Sequence, residues 1–196
     1  AAKASGGSSL AIGNAAAANK TGDIALGQDT TADGGMAVAI GKQATADGFE
    51  SVSIGFASVT TGNQSAAFGV SQEASGNNAI SIGGDVNTAS GELSISIGQG
   101  NDSAAVQSRA IGTLNTVMST YSTLIGNSNT AVGTSSGSYG IGSALLLSGA
   151  SSNAFGAHLS TTDFKQTILG SANLTVGPGS LDTWVATDNL LIIGNG

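Results

Sequence analysis

Residues able to do chemistry are few in this chain. Five basic side chains stand against twelve acidic ones, there is one histidine, and cysteine is absent. Without thiols, disulfides and thiolate metal sites are excluded. A hydrolase needs acids, bases or an activated nucleophile converging on one point. His158 has no partner beside it in the sequence, so it reads as a surface or structural residue. Asp23, Asp29, Asp33, Asp47, Glu50, Glu73, Asp85, Glu92 and Asp102 are scattered. Asp33 and Asp47 lie fourteen residues apart, a spacing that could build a calcium ladder in a stacked repeat. The next positions in that series are Thr61 and Ser75, which break it, so turn-forming aspartates fit better. No catalytic residue, metal ligand or cofactor is expected, and the ligand-binding residues stay unassigned. Lys3, Lys20, Lys42, Arg109 and Lys165 form no cluster, which removes the basic footprint that nucleic acid requires.

The element that positions every side chain is a repeat. Glycine recurs at 13, 27, 41, 55, 69 and 83, then at 98, 112, 126, 142, 156, 170 and 194. The early interval is fourteen residues throughout, and a fixed period of that kind implies stacked units. Each glycine closes an alternating phrase: Leu10-Ala11-Ile12, Ile24-Ala25-Leu26, Val38-Ala39-Ile40, Val52-Ser53-Ile54. Alternation at period two is the mark of a strand. Fourteen is also two heptads, but the apolar residues are clumped and glycine interrupts every turn, which rules out a coiled coil.

Small residues follow at three and five places past each glycine: Ala16 and Ala18, Thr30 and Ala32, Ala44 and Ala46, Ser58 and Thr60. They predict a second strand, and Gly34, Gly48, Gly62 and Gly76 predict a second turn that uses glycine's positive φ. Two strands of about five residues and two turns make one coil, and successive coils stack in parallel. A threonine ladder for ice binding would run Ala17, Thr31, Thr45, Val59, Glu73 and Asn87, which is no regular array.

Two columns of large apolar residues run along the stack. One is Leu10, Ile24, Val38, Val52, Ala66, Ile80 and Ile95, and the other Ile12, Leu26, Ile40, Ile54, Phe68, Ile82 and Ile97. Between them, on the opposite face, lie Ala11, Ala25, Ala39, Ser53, Ala67, Ser81 and Ser96. The large columns are expected to fill each coil. The small column is expected to face another copy of the chain pressed close.

Residues 1–112 hold the regular repeats. Residues 113–196 continue the roll irregularly and end in an excursion around Pro178 and Trp184, a terminal loop or cap. After Gly98, Arg109, Thr123, Tyr139, Asn153 and Thr167 replace the first large column, and Ala110, Leu124, Gly140, Ala154 and Ile168 replace the small one. Charged residues make up 9% of the chain and proline is a single residue, so disorder is disfavoured despite 31 glycines. No apolar run reaches the ~20 residues that span a bilayer, so no transmembrane segment is expected. The start, AAKASGG, lacks the apolar stretch of a signal peptide, and a fragment of a longer protein is the expectation.

The phrases AVAIGKQATADG (37–48) and SVSIGFASVTTG (51–62) resemble the head repeats of trimeric autotransporter adhesins, closely over 8–112 and loosely over 113–177. The resemblance implies an all-β, left-handed parallel β-roll assembled as a homotrimer and displayed outside the cell on a bacterial surface. It implies attachment to host or environmental surfaces, through protein or glycan ligands, without catalysis. No neck or heptad stalk follows the repeats, and DNLLIIGNG (188–196) is similar to segments of phage tail fibres. A receptor-binding tail-fibre module on a virion, or a purely structural fibre spacer, is the alternative. Tyr121, Tyr139, His158, Phe164 and Trp184 give the irregular half more specific chemistry than a spacer needs, which favours recognition.

Overall fold

A computed structural model describes residues 1–133, 135–172 and 191–195. Every regular element among them is a β-strand, and all strand pairs are parallel. Among the described residues no helix is long and apolar enough to cross a membrane. Pro178, Trp184 and Gly177 lie outside the described residues.

The chain divides into two compact units, residues 1–100 and 101–196. In the first, a sheet of longer strands runs through Leu10–Ile12, Ile24–Leu26, Val38–Ile40, Val52–Ile54, Ala66–Gly69, Ile80–Gly83 and Ile95–Gln99. A sheet of two-residue strands runs through Lys3–Ala4, Ala17–Ala18, Thr31–Ala32, Thr45–Ala46, Val59–Thr60, Glu73–Ala74 and Thr88–Ala89. The strands alternate between sheets along the chain, so each coil contributes one strand to each. This is a parallel β-solenoid of about fourteen residues per coil, in which the long strands run three to five residues and the short strands two, where about five were expected of each.

In the second unit the longer strands are Arg109–Thr113, Thr123–Asn127, Tyr139–Ser143, Asn153–Ala157, Thr167–Ser171 and Leu191–Asn195. The short ones are Asp102–Ser103, Thr116–Val117, Thr130–Ala131, Leu146–Leu147 and Ser160–Thr161. Glycine keeps the register wherever the coil length changes: Gly83 pairs with Gly98, Gly126 with Gly142 and Gly170 with Gly194. The added residue after Gly83 moves the short strand along, so Thr88 pairs with Glu73 where Asn87 was expected.

The two glycine columns serve different purposes. Gly41 has φ +125°, and a Cβ there would also run into the carbonyl oxygen of Gly55. Gly48 does not need the positive φ expected of it. Its constraint is the carbonyl of Gly62, which lies where a Cβ would go. The left-handed corners fall instead on ordinary residues: Ala15, Asp29, Gln43 and Ala57 at one turn, and Met36, Glu50, Gln64 and Asn78 at the other, all with φ between 54° and 61° or close to it, as at Ala57 (52°). Such residues resist that conformation. Stacking holds them there, since Gln43 N donates to Gln28 O at 2.9 Å and Glu50 N to Gly35 O at 3.0 Å.

The interior reverses the expected orientation of the long strands. Ala25, Ala39, Ser53, Ala67, Ser81 and Ser96 are fully buried inside the coil, against Ala18, Ala32, Ala46, Thr60, Ala74 and Ala89 of the short strands. The large columns are outside. In the first unit methyl and hydroxyl groups from the two sheets fill the lumen between them. The crowding that keeps this column small therefore comes from the chain's own opposite sheet.

Most polar interior residues are satisfied locally, with the buried hydroxyls of Ser94 and Ser119 as exceptions among the described residues. Ser53 and Ser58 share a hydrogen bond of 2.8 Å, and Thr60 Oγ1 donates to Ser51 Oγ at 3.0 Å. Buried Asp23 accepts from the backbone N–H of Lys20, Gly35 and Ala37 at 2.8–3.0 Å, so it is a structural cap between coils. In the second unit Asn101, Asn115 and Asn129 form a buried ladder. Asn101 Oδ1 accepts from Asn115 N and Nδ2, and Asn115 Oδ1 accepts from Asn129 N and Nδ2, at 2.9–3.1 Å. The ladder ends where Asn129 Oδ1 accepts from Leu145 N at 3.0 Å. Beyond it Leu124, Leu145, Leu147, Leu159 and Ile168 make a dry core. Gly140 makes room, since a Cβ there would lie 2.8 Å from Leu124 Cδ2.

Two substitutions test this interior by chemical denaturation. Ala39→Phe is expected to destabilise the single chain by at least about 1–3 kcal/mol through overpacking, whatever its state of assembly. Asn115→Ala is expected to cost about 1–3 kcal/mol, because it leaves the buried backbone N–H of Asn129 without its acceptor and removes one donor from Asn101 Oδ1.

Candidate functional site

The outer face of the long-strand sheet is the most unusual surface of the molecule. Strand alternation turns the small residues inward, so the same geometry must turn the large ones out. In the first unit this gives two adjacent apolar rows with no charged member: Leu10, Ile24, Val38, Val52, Ala66, Ile80 and Ile95 beside Ile12, Leu26, Ile40, Ile54, Phe68, Ile82 and Ile97. Ile12 is 58% exposed, and Phe68 and Ile82 are each 37% exposed. Seven coils at ~4.8 Å make this strip roughly 34 Å long. Phe56 and Val70 extend it over the neighbouring corner, where they are exposed. A continuous apolar strip of this size marks an interaction surface.

In the second unit one row stays apolar, through Ile111, Ile125, Ile141, Phe155, Leu169 and Ile193. The other becomes Arg109, Thr123, Tyr139, Asn153 and Thr167. Tyr139 and Phe155 form a tilted aromatic pair with ring centroids 6.3 Å apart. Asn153 Nδ2 donates weakly to Thr167 Oγ1 at 3.4 Å.

The residues singled out from the sequence are not brought together. His158 is exposed at a left-handed corner, its backbone N–H donating to Ser143 O at 2.9 Å. Tyr121 is exposed at the other corner. Phe164 is half-buried with Lys165 Nζ 5.1 Å from its ring centre. Trp184 lies outside the described residues. Among the described residues no group of three or more histidine or acidic side chains could hold a metal, and no pocket opens.

Asp33 and Asp47 do stack in one column, as their spacing implied. Lys20 Nζ lies 3.7 Å from Asp33 Oδ1. Partial burial, then the charge of Asp33, push the carboxyl of Asp47 above its ordinary value, with Lys20 opposing. Asp85 is held below its ordinary value by the N–H of Val86 and by Gln99. No protein-family model matches the chain, and no curated protein matches it.

The outward rows were in plain view in the sequence and were placed on the wrong side. Their uniform large size in every coil, against a partner column limited to alanine and serine, was the available signal.

A raised carboxyl pKa means that the folded chain holds the proton more tightly than the unfolded one. Ionisation of Asp47 therefore costs stability, and the cost disappears as pH falls through the carboxylate range. Asp47→Asn is expected to raise the melting temperature at pH 7 and to lose that advantage near pH 3. Melting curves at the two pH values check it, and an Asp47→Asn melting temperature that falls at pH 7 contradicts it.

Proposed function

We propose that this chain is a non-enzymatic module of a homotrimeric fibre head that attaches to cell or other surfaces through many weak contacts. The observation that carries the proposal is the aliphatic outer face of the long-strand sheet. Burying an alanine methyl inside the coil yields only about 0.8 kcal/mol. The first unit's large side chains, each worth about 1.5–3 kcal/mol when fully buried, all point outward and are exposed or only half-buried. Such a coil stabilises itself fully only when another surface covers that face.

The covering surface is a further copy of the same chain. A strip with rows every ~4.8 Å can be met along its whole length only by a surface of equal pitch. A parallel copy provides that pitch and sets aliphatic rows of the first unit against aliphatic rows. Three copies, and left-handed winding, are what the resemblance to the adhesin heads implies. The short-strand sheet and the corners then face outward, and each of their features appears three times. The setting that goes with this reading is the outer surface of a bacterium.

Ile54→Asp is expected to leave each coil folded, because residue 54 points away from the interior, and to abolish assembly. Sedimentation equilibrium reads the mass and circular dichroism the fold. A monomeric unmodified chain would remove the proposal. The assembled form is then expected to be retained on cells, matrix proteins or glycan surfaces more strongly than the Ile54→Asp monomer. Linked weak contacts commonly gain ~10²–10⁴-fold. Equal retention would eliminate the multivalent mechanism, and turnover of any glycan would overturn the non-enzymatic assignment.

A further inference from the structure

We infer that the polar row of the second unit, Arg109, Thr123, Tyr139, Asn153 and Thr167, fixes the axial register between copies of this chain. The inference rests on the proposed assembly through the long-strand face and adds what that face lacks. In the first unit every coil except that of Ala66 and Phe68 presents nearly the same pair of side chains. Sliding one copy past another by a single coil, ~4.8 Å, sets Ile24 in the place of Val38 and Leu26 in that of Ile40. Aliphatic meets aliphatic again, and only the end coil loses its cover. A face that repeats perfectly attracts strongly and specifies poorly.

The second unit breaks this degeneracy in one row while keeping the other. Its apolar row from Ile111 to Leu169 is as repetitive as those of the first unit. Its polar row holds a different side chain in almost every coil, and the two threonines differ in setting: Thr123 is nearly buried, whereas Thr167 receives the Asn153 amide at 3.4 Å. A one-coil slip would put Arg109 where Thr123 sits and Tyr139 where Asn153 sits. That mismatch strands polar groups and crowds the aromatic pair, both of which cost free energy. A single polar position can set the register of an apolar interface in the same way in coiled coils. Arg109, exposed and in no ion pair among the described residues, is available to a second copy.

The test uses the full chain. One variant makes the row aliphatic (Arg109→Ile, Thr123→Val, Tyr139→Ile, Asn153→Val, Thr167→Ile). A milder one, Thr123→Val with Thr167→Val, preserves shape and guards against misfolding. Slipped copies leave overhanging aliphatic face that recruits further chains, so the unmodified protein is expected to sediment as one closed species. The variants are expected to form a concentration-dependent series of larger masses, the milder one less so. Because the chain has no cysteine, register is also read directly, by mixing copies carrying Ile54→Cys with copies carrying Phe68→Cys. Mixed disulfides are expected to be depleted in the unmodified background and to rise severalfold in the variants. Closed species and unchanged disulfide patterns in both variants would overturn the register inference while leaving the assembly intact. A monomeric parent chain would overturn the assembly itself.

Discussion

A coil of the first unit has almost no inside. Its two sheets are joined by corners of a few residues, and each coil sits directly on the backbone of the next. There the space between the sheets is filled mostly by a methyl or hydroxyl from each side, with Ala25, Ala39, Ser53 and Ala67 facing Ala18, Ala32, Ala46 and Thr60. The same tightness appears in the backbone, where a Cβ on Gly41 or Gly48 would collide with the carbonyl of the next coil. From this one limit follow the small interior, the exclusion of large side chains to the outer face, and the dependence on stacking hydrogen bonds.

Polar interior groups are tolerated because stacking supplies partners at fixed spacing. Each amide of the Asn101–Asn115–Asn129 ladder meets the equivalent amide of the neighbouring coil, so every member satisfies the next. When the row changes to Leu145 and Leu159, the facing residues change with it to Leu124, Gly140 and Leu147, and the core becomes dry. Satisfied amides and close-packed aliphatics are two solutions to the same requirement that nothing polar be left unpaired. The left-handed corners follow the same logic: Gln43 and Glu50 accept an unfavourable conformation because inter-coil bonds hold them in it.

An outer face made of isoleucine and leucine is a poor surface for a solitary chain. The proposed assembly turns it into the protein's second core, shared between copies, with the polar row of the second unit giving the shared core its register. Charged residues make up only 9% of the chain, which suits weak contacts made many times over.

The fourteen-residue glycine period, the parallel stack and the two-strand coil were all readable from the residues, because backbone collisions forbid anything but glycine at fixed intervals and alternation shows in the letters. Tight stacking also placed Asp33 over Asp47. Which face of the long strand points inward was not readable in the same way. Alternation says that Val38 and Ile40 share a side and Ala39 takes the other, and it is silent on which side is enclosed. The usual rule that large apolar residues go inside gave the wrong answer in the first unit, where alanine, serine and threonine from both sheets fill the lumen, although the second unit does enclose Leu124, Leu145, Leu147, Leu159 and Ile168. Sequence also hid the left-handed corners at Ala15, Ala57 and Met36, whose side chains carry no turn signal because neighbouring coils impose the conformation. It misplaced Thr88 by one position as well, because a one-residue insertion after Gly83 shifts strand pairing without disturbing the glycines. Interior volume and the bonds between coils are properties of the stack, and they exist only once the chain has closed on itself.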